Sequence, residues 1–420
     1  MSSQEVPQGY KQTKVGVIPE EWEVARIGDV FNFIKTYSNS RKDLSAIGDI
    51  EYLHYGDIHT KYKYHLNFDK NTLPKISLEK FKTNIQYVEN GDLFIADASE
   101  DYVDIGKSVE AINLNDKKVV SGLHTFLLRD KDNNFSNGYK GLILYNQNIS
   151  KNIKRIATGI SVLGISKTNL GKLEIPLPPL KEQQKIANIL TTWDNAVSKQ
   201  DELIKAKEEL KKGLMQKLLS GEVRFEGFIN EWVETKLSNY IVEISKKNKD
   251  KKISLVLTVS TKHGFISQED YFDREIASKD TSNYKIVKKG DFAYNPSRIN
   301  IGSISYLDTF EEGILSPMYV IFKCNDNLNS SYFTYWLNTH SFKGNLYKYL
   351  SGSVRDSLSF RDMKLMKIRL PLLQEQQKIA EVLANADKEI NLLKNELEEL
   401  KEQKKGLMQK LLTGEVRVKT

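Results

Sequence analysis

Two stretches of the chain carry apolar residues at heptad spacing. The first runs through Ile186, Leu190, Trp193, Val197, Ile204, Leu214 and Leu218, and the second through Ile379, Leu383, Ala386, Ile390, Leu393, Leu397, Leu400, Leu407 and Leu411. That spacing predicts two long helices with coiled-coil seams. Pro178 and Pro179 stand at the start of the first and Pro371 at the start of the second, while Gly221 and Gly414 lie just past the ends. This is the Pro-first, Gly-last asymmetry of helices. Some 40 residues at 1.5 Å each make a rod of about 60 Å.

The rods are copies of each other. Leu177-Pro-Pro-Leu-Lys-Glu-Gln-Gln-Lys-Ile-Ala187 recurs as Leu370-Pro-Leu-Leu-Gln-Glu-Gln-Gln-Lys-Ile-Ala380, and Lys211-Lys-Gly-Leu-Met-Gln-Lys-Leu-Leu219 recurs as Lys404-Lys-Gly-Leu-Met-Gln-Lys-Leu-Leu412. Both matches have an offset of 193, so the poorly matched stretch between them keeps its length. Polar residues interrupt the seam at Gln200, Lys207, Lys211 and Lys404. Either their stems lie along the seam with the charges in water, or they fix the register between the helices. Gly213 and Gly406 each cost the helix about 1 kcal/mol relative to alanine.

The segments before each rod share weaker landmarks. Ile18-Pro-Glu-Glu-Trp22 is answered by Ile229-Asn-Glu-Trp232, and Val88-Glu-Asn-Gly-Asp-Leu93 by Val287-Lys-Lys-Gly-Asp-Phe292, a turn feeding a buried strand. Each segment closes on an alternating strand, Leu173–Leu177 and Met366–Leu370. The expected organisation is an N-terminal extension (1–16), a globule (17–176), a helix (177–221), a second globule (222–369) and a second helix (370–420). Beyond the landmarks the globules differ, which points to one scaffold carrying two binding surfaces of different specificity.

Length and composition narrow the class. At 420 residues, with 40% hydrophobic and 28% charged residues, the chain has the profile of a soluble multidomain protein. No stretch reaches the roughly 18 apolar residues of a membrane helix, and the start lacks a signal-peptide pattern, so a cytoplasmic location is expected. A single cysteine, Cys324, excludes an internal disulfide and a multi-cysteine zinc site. The net charge is +7; residues 181–217 hold 8 basic and 6 acidic residues and residues 374–410 hold 7 and 8, so the rods account for +1 and the globular segments carry the surplus.

The ordered set of motifs resembles the specificity subunit of Type I restriction-modification enzymes. It comprises the paired Leu-Pro-x-Leu-x-Glu-Gln-Gln-Lys-Ile-Ala segments, helices ending near Gly-Glu-Val-Arg, and the Ile-Pro-Glu-Glu-Trp opening. The resemblance spans nearly the whole chain. It implies an α+β fold: two similar mixed α/β target-recognition domains separated by two long antiparallel coiled-coil helices, in a pseudo-two-fold internal repeat. It also implies binding of a bipartite double-stranded DNA target, one half-site per domain, and docking of two adenine-N6 methyltransferase subunits and, through them, restriction subunits. S-adenosylmethionine, ATP and Mg would belong to those partners, and this chain would hold no cofactor. Two readers whose centres lie about one helical turn apart, near 34–36 Å, can reach major grooves on one face of DNA.

Candidate DNA contacts follow from residue chemistry. In the first globule Gly56-Asp-Ile-His-Thr-Lys-Tyr-Lys-Tyr-His65 interleaves cations with aromatics, suiting phosphate contact and base stacking through His59, Thr60, Lys61, Lys63 and Tyr64. The competing reading is an exposed strand with alternating faces. The matching place in the second globule is Thr258-Val-Ser-Thr-Lys-His-Gly264, with Ser260, Thr261, Lys262 and His263. Asn295-Pro-Ser-Arg-Ile-Asn300 offers Asn295, Arg298 and Asn300 for base edges, since Arg can grip guanine and Asn adenine. Its counterpart, Ala96-Asp-Ala-Ser-Glu-Asp-Tyr102, contributes Ser99 and Tyr102 and is acidic enough to accept from a cytosine amino group. An ordinary polar loop is the alternative for both.

Catalysis by this chain is not expected. Asn295-Pro296 is followed by Ser297 and Arg298 rather than the Pro-aromatic pair of adenine methyltransferases, with no glycine-rich cofactor loop. Gly159–Ser166 has the glycine spacing of a phosphate-binding loop but places Ile165 at the lysine position, and Gly352–Ser359 loses the second glycine. His54, His59 and His65 lack matched ligands for a metal. Apolar helix residues off the seam, namely Ile189, Leu203, Leu210, Met215, Val382, Leu392 and Met408, either dock methyltransferase subunits or pack on their own globules. The rival readings are a stand-alone bivalent DNA-binding regulator and an oligomerising coiled coil with protein-binding heads.

Overall fold

A computed structural model describes residues 6–82, 84–271, 280–350 and 357–419. The two long helices span Leu180–Ser220 and Leu373–Thr413, each 41 residues. The chain divides into two compact units, Met1–Asp201 with Asn395–Thr420, and Glu202–Lys394. The sequence-based divisions at 177, 222 and 370 therefore mark where the helices begin and end, while the compact units divide each helix near its middle. The reason is packing: each globule is covered by the start of the helix that follows it and the end of the other one.

In the first unit Ile186, Leu190, Met408, Leu411 and Leu412 are buried in one core with Trp22, Ile175 and Leu142. In the second, Leu218, Leu219, Ile379 and Leu383 are buried with Trp232, Phe333 and Ile368. Residues 6–16 belong to the first unit and form no detached extension. Tyr10–Thr13 pairs with Gly16–Pro19 as a hairpin, and the Tyr10 hydroxyl donates to the Gly414 carbonyl at 2.9 Å.

Both units contain the same four-stranded sheet. In the first its order is Phe31–Ile34, Thr125–Asp130, Leu93–Ala96, Ser108–Ile112, with Tyr64–Asn67 added parallel on the far edge. In the second it is Ile241–Ile244, Val320–Cys324, Phe292–Tyr294, Ile304–Tyr306. Ranked along the chain, both read first, fourth, second, third, and the four shared strands pair antiparallel. The central strands Leu93–Ala96 and Phe292–Tyr294 are buried throughout, which is why both read as unbroken apolar runs. Beside this sheet the units differ. The first has a three-stranded sheet of Val119–Ser121, Ile50–Leu53 and Lys75–Ile76; the second has instead the pairs Leu257–Ser260 with Gly264–Ser267 and Lys285–Lys288 with Glu312–Leu315.

The helix segments within each unit run antiparallel, as their contacts show. In the first, Gln200 donates to Glu396 at 3.1 Å and Lys404 pairs with Asp194. In the second, Lys207 pairs with Glu389 at 2.6 Å and Lys211 with Asp387. The polar seam residues thus meet opposite partners instead of leaving the seam for water. Lys404 is buried, with its ammonium 4.3 Å from the centre of the Tyr64 ring. Lys211 stands 5.6 Å from the Tyr335 ring, and the Tyr335 hydroxyl donates to Asp387 at 2.8 Å. An ion pair off its register leaves a charge in an apolar seam, so these positions favour one alignment over its neighbours.

The repeated motifs meet as locks. Glu182, the Glu of the first Glu-Gln-Gln, is buried; it accepts from Arg417 at 2.8 and 3.0 Å and from the Trp22 indole at 2.9 Å. Glu375 accepts from Arg224 at 2.9 and 2.7 Å. Each arginine ends the Gly-Glu-Val-Arg that follows the other copy's helix. The adjacent glutamines clamp the globule. Gln183 accepts from the Ser136 amide and donates to the Asn134 and Pro178 carbonyls. Gln376 does the same with Asn329, Asn327 and Pro371. Gly414 has φ +76°, and a Cβ there would lie 2.4 Å from Pro19, so only glycine lets the tail turn back at this point.

Replacing Arg417 by Ala leaves Trp22 as the remaining donor to the Glu182 carboxylate among the described residues. The expected cost is about 2 kcal/mol, read as a melting midpoint lowered by several degrees, with Arg417→Lys losing less; an unchanged midpoint for the alanine variant refutes the lock.

Candidate nucleic-acid interface

In both units a tight turn feeds the central strand. Gly91 and Gly290 take φ of +88° and +96°. The carboxylates beside them close the turn, Asp92 accepting from the Glu89 amide and Asp291 from the Lys288 amide, each at 2.8 Å. Arg129 holds Asp92 with both arms of its guanidinium, at 2.9 and 2.8 Å. The far end of the strand then releases the chain at Asp97 in the first unit and Asn295 in the second, and it is there that the differing loops gather.

In the first unit the loop after Ala96, the Gly122–His124 turn and the segment around Gly164 converge. The Asp97 amide donates to the His124 carbonyl at 3.1 Å, and the Ile165 amide to the Asp97 carbonyl at 2.8 Å. Leu163–Gly164 pairs with Ala98–Ser99, so the glycine-spaced segment is a strand turn at this edge and does not cradle a phosphate. The corresponding stretch from Gly352 to Asp356 lies outside the described residues, and Leu358 beyond it is buried. Tyr102, Val103, Ile160 and Val162 are exposed around the edge of the first unit.

In the second unit the Asn295 amide donates to Ser303 and the Leu358 amide to Pro296. Ser303 donates through its hydroxyl to Val259. This brings the 260–264 turn beside the short 3-10 helix Pro296–Ile301. Thr261, Asn300, Gly302, Ser305 and Tyr306 line a cavity of about 480 Å³ there. Lys262, His263, Arg298, Ile301 and Met318 are exposed.

The structure sorts the sequence candidates. Thr60, Lys61, Lys63, Tyr102, Thr261, Lys262, His263 and Arg298 are exposed, and Asn300 is half-buried at the cavity. Of the exposed ones, Thr60 donates to the Gly56 carbonyl at 2.7 Å and Lys61 pairs with buried Asp57 at 3.0 Å; five others have their polar or aromatic groups engaged internally. Tyr64 is buried edge-on to Tyr145 and cannot stack on a base. Ser99 is buried and accepts from the Asp101 amide. Ser260 is buried and accepts from the Lys262 and His263 amides. Asn295 caps the 3-10 helix by accepting from Ser297 and turns its amide nitrogen to the Met318 sulfur, so its carbonyl oxygen is not free for a base. His59, half-buried, makes a 2.9 Å hydrogen bond with the Ala98 carbonyl through Nε2, tying its helix to the strand end. That helix, Tyr55–Thr60, replaces the exposed strand considered for this stretch. His54 caps it and His65 bonds Gly138, so the three histidines serve separate backbone contacts.

The docking candidates divide as well. Met408 is buried in the first core; Ile189 packs against that core, and Met215 and Val382 against the second. Leu203, Leu210 and Leu392 remain exposed. Of the seam residues, Ile186, Leu190, Ile204, Leu218, Ile379, Leu383, Ile390, Leu397 and Leu411 are buried, while Trp193, Val197 and Leu214 are half-buried. Cys324 is half-buried, and burial pushes its thiol up to about 12. Among the described residues no group of three or more His, Cys, Asp and Glu is arranged to hold a metal, and no helix is long and apolar enough to cross a membrane.

Sequence reasoning missed Tyr55 and His124, because only the fold brings them together: the Tyr55 ring lies edge-on to His59 at 5.7 Å and to His124 at 5.4 Å. It also quoted Asp97 without singling it out. The signal available was position, one residue past the central strand.

The family described as Type I restriction modification DNA specificity domain matches residues 19–208 and 229–402. The chain is 27% identical over 428 residues to the Type I restriction enzyme MjaVIII specificity subunit of Methanocaldococcus jannaschii, covering 96% of this chain and 94% of that one. Among solved structures it shares its fold with the HsdS subunit from Thermoanaerobacter tengcongensis, at TM-score 0.51 and 16% identity over 95% of this chain and 98% of that one. It likewise resembles the Type I restriction-modification system S subunit from M. genitalium, at TM-score 0.50 and 17% identity over 93% and 96%.

The burial pattern separates two neighbours in the candidate set. Tyr64→Ala is expected to lower stability by about 3 kcal/mol through the cavity it leaves, while Tyr102→Ala leaves the thermal midpoint within a degree or so; comparable midpoints for the two variants would contradict this placement.

Proposed function

Because the chain belongs to the Type I restriction modification DNA specificity family, we propose that its two units each read one half of a bipartite double-stranded DNA target. The observation that carries this reading is the duplicated sheet: one strand order occurs twice, and at the same end of its central strand each copy presents a different set of side chains. A common frame with unlike loops suits two unlike half-sites. The exposed cations Lys63 in the first unit, and Lys262 and Arg298 in the second, supply the kind of charge that phosphates attract, while Lys61, also exposed, is paired with buried Asp57 at 3.0 Å. Arg298 in addition has the fork that grips a guanine edge.

The chain itself transfers no group. It positions two adenine-N6 methyltransferase subunits, which bring S-adenosylmethionine, and through them the restriction subunits with ATP and Mg. The leucines left uncovered on the long helices, Leu203, Leu210 and Leu392, are the apolar positions available to such partners. A stand-alone regulator has no use for them.

Mapping N6-methyladenine across the genome of the source strain, with and without this gene, tests the proposal. A split motif methylated on both strands should vanish on deletion and return on complementation; a pattern indifferent to the gene refutes the role. Complementation with Arg298→Ala should relax one half-site and leave the other intact, and an unaltered motif removes Arg298 from the reading set.

A further inference from the structure

At the strand-end edge of the first unit one carboxylate stands on a fixed backbone and is partly open to solvent. Four acids lie between residues 97 and 104. Asp101 accepts from the amides of Val103 and Asp104, both at 2.8 Å, and so holds its own loop. Asp104 pairs with Lys107 at 2.8 Å. Glu100 stands on the exposed stretch between them, where a long, unrestrained side chain pays heavily in entropy to hold one geometry.

Asp97 differs from all three. Both of its backbone groups are bonded, the amide to His124 and the carbonyl to Ile165, so the side chain leaves from a fixed point. That side chain is 24% exposed, and its Oδ1 is buried without a hydrogen-bond partner. His124 Nδ1 stands 3.4 Å from that buried oxygen, so the exposed part of the side chain lies away from Oδ1. Burial holds the carboxyl above its ordinary range, against the opposing pull of His124. His124 itself takes φ +54°, a left-handed conformation that non-glycine residues seldom adopt. A carboxylate with its backbone fixed, one oxygen turned to His124 and part of the side chain open to solvent is placed to accept a hydrogen bond from outside on its exposed side.

We infer that Asp97 accepts a hydrogen bond from the exocyclic amino group of a base, cytosine N4 or adenine N6, in the half-site bound by the first unit. The inference rests on the DNA-recognition reading above. A carboxylate cannot serve as a phosphate contact, because like charges repel, so at a DNA interface its favourable partners are the amino groups displayed in the major groove. The exposed Tyr102 and Val103 beside it suit the apolar parts of neighbouring bases.

The test uses the full chain, co-expressed with a Type I methyltransferase subunit from the same source strain in a host without other adenine methylation. The wild-type chain establishes the split motif; no motif at all refutes the recognition reading itself, independently of Asp97. Asp97→Asn keeps the shape and removes the charge. It is expected to retain the wild-type melting midpoint and one intact half-site, and to lose roughly tenfold discrimination at one cytosine or adenine of the other, the identity of that base deciding between the two amino groups. Competition with duplexes altered at each position should show the same single loss. A motif unchanged at every position, or an equal loss of affinity for all duplexes, overturns the inference, the second because a merely structural role acts that way. His124→Asn, which suits a positive φ and leaves the carboxylate in place, is expected to keep the motif; a changed motif there would transfer the reading to His124.

Discussion

A buried carboxylate must find a cation, and the glutamate of each Glu-Gln-Gln motif finds it at the far end of the other repeat. Glu182 lies 235 residues from Arg417, and Glu375 lies 151 residues from Arg224. Closing such long loops is entropically costly, and a carboxylate taken out of water recovers that cost only when its partner arrives. The lock therefore dictates that the tail after the second helix returns to the first globule, and that the tail after the first helix seats on the second. Hairpin, glycine turn and terminal arginine in the first unit then serve one contact. The same demand accounts for which parts of the repeat are strictly matched. Glu-Gln-Gln and Gly-Glu-Val-Arg touch each other across copies, whereas the helix between them needs only its length and an apolar seam.

Fold class and repeat were legible because both rest on local chemistry. Heptads, flanking prolines and terminal glycines announce helices that the structure places within a few residues of expectation. The Gly-Asp turns likewise announced the central strands. Compact boundaries were not legible, because they depend on which globule each half of a helix covers, and an amphipathic run carries no label for its partner. Lys211 and Lys404 show the difference well. In sequence each is a flaw in an apolar seam; in the fold each meets an aspartate offset by 193 from the other's, Asp387 and Asp194.

The candidate site was legible only in outline. Interleaved cations and aromatics drew attention to residues 56–65, but composition cannot tell an exposed lysine from a tyrosine beneath it. Tyr64 went inward because the added parallel strand packs its ring on Tyr145, and Lys61 stayed outside. Asn295 illustrates a second limit. Its residue type suits adenine, yet a position just before Pro296 is also an ideal helix cap, and the backbone amide of Ser297 claimed the side chain first. Local backbone donors compete with any ligand for short polar side chains, which is why Arg298, too long to cap its own turn, is the member of that motif left facing outward.

The division between frame and loops has a physical basis in where polar groups can be left unsatisfied. Within the duplicated sheet every strand is paired, and at its turn end Asp92 and Asp291 accept from the Glu89 and Lys288 amides; a change there loses bonds without creating a new surface. At the opposite end the chain leaves the ladder, so side chains are no longer bound by strand register and can differ between copies at little cost to the core. Asp97 and Asn295 mark the same step past the central strand. One copy spends that step on a helix cap that sets Arg298 outward; the other holds the backbone at both groups and leaves the carboxylate beside His124, partly exposed. The same step past the strand thus leads to unlike side chains in the two copies, an outward Arg298 in one and a partly exposed Asp97 in the other, while the sheet beneath them is the same.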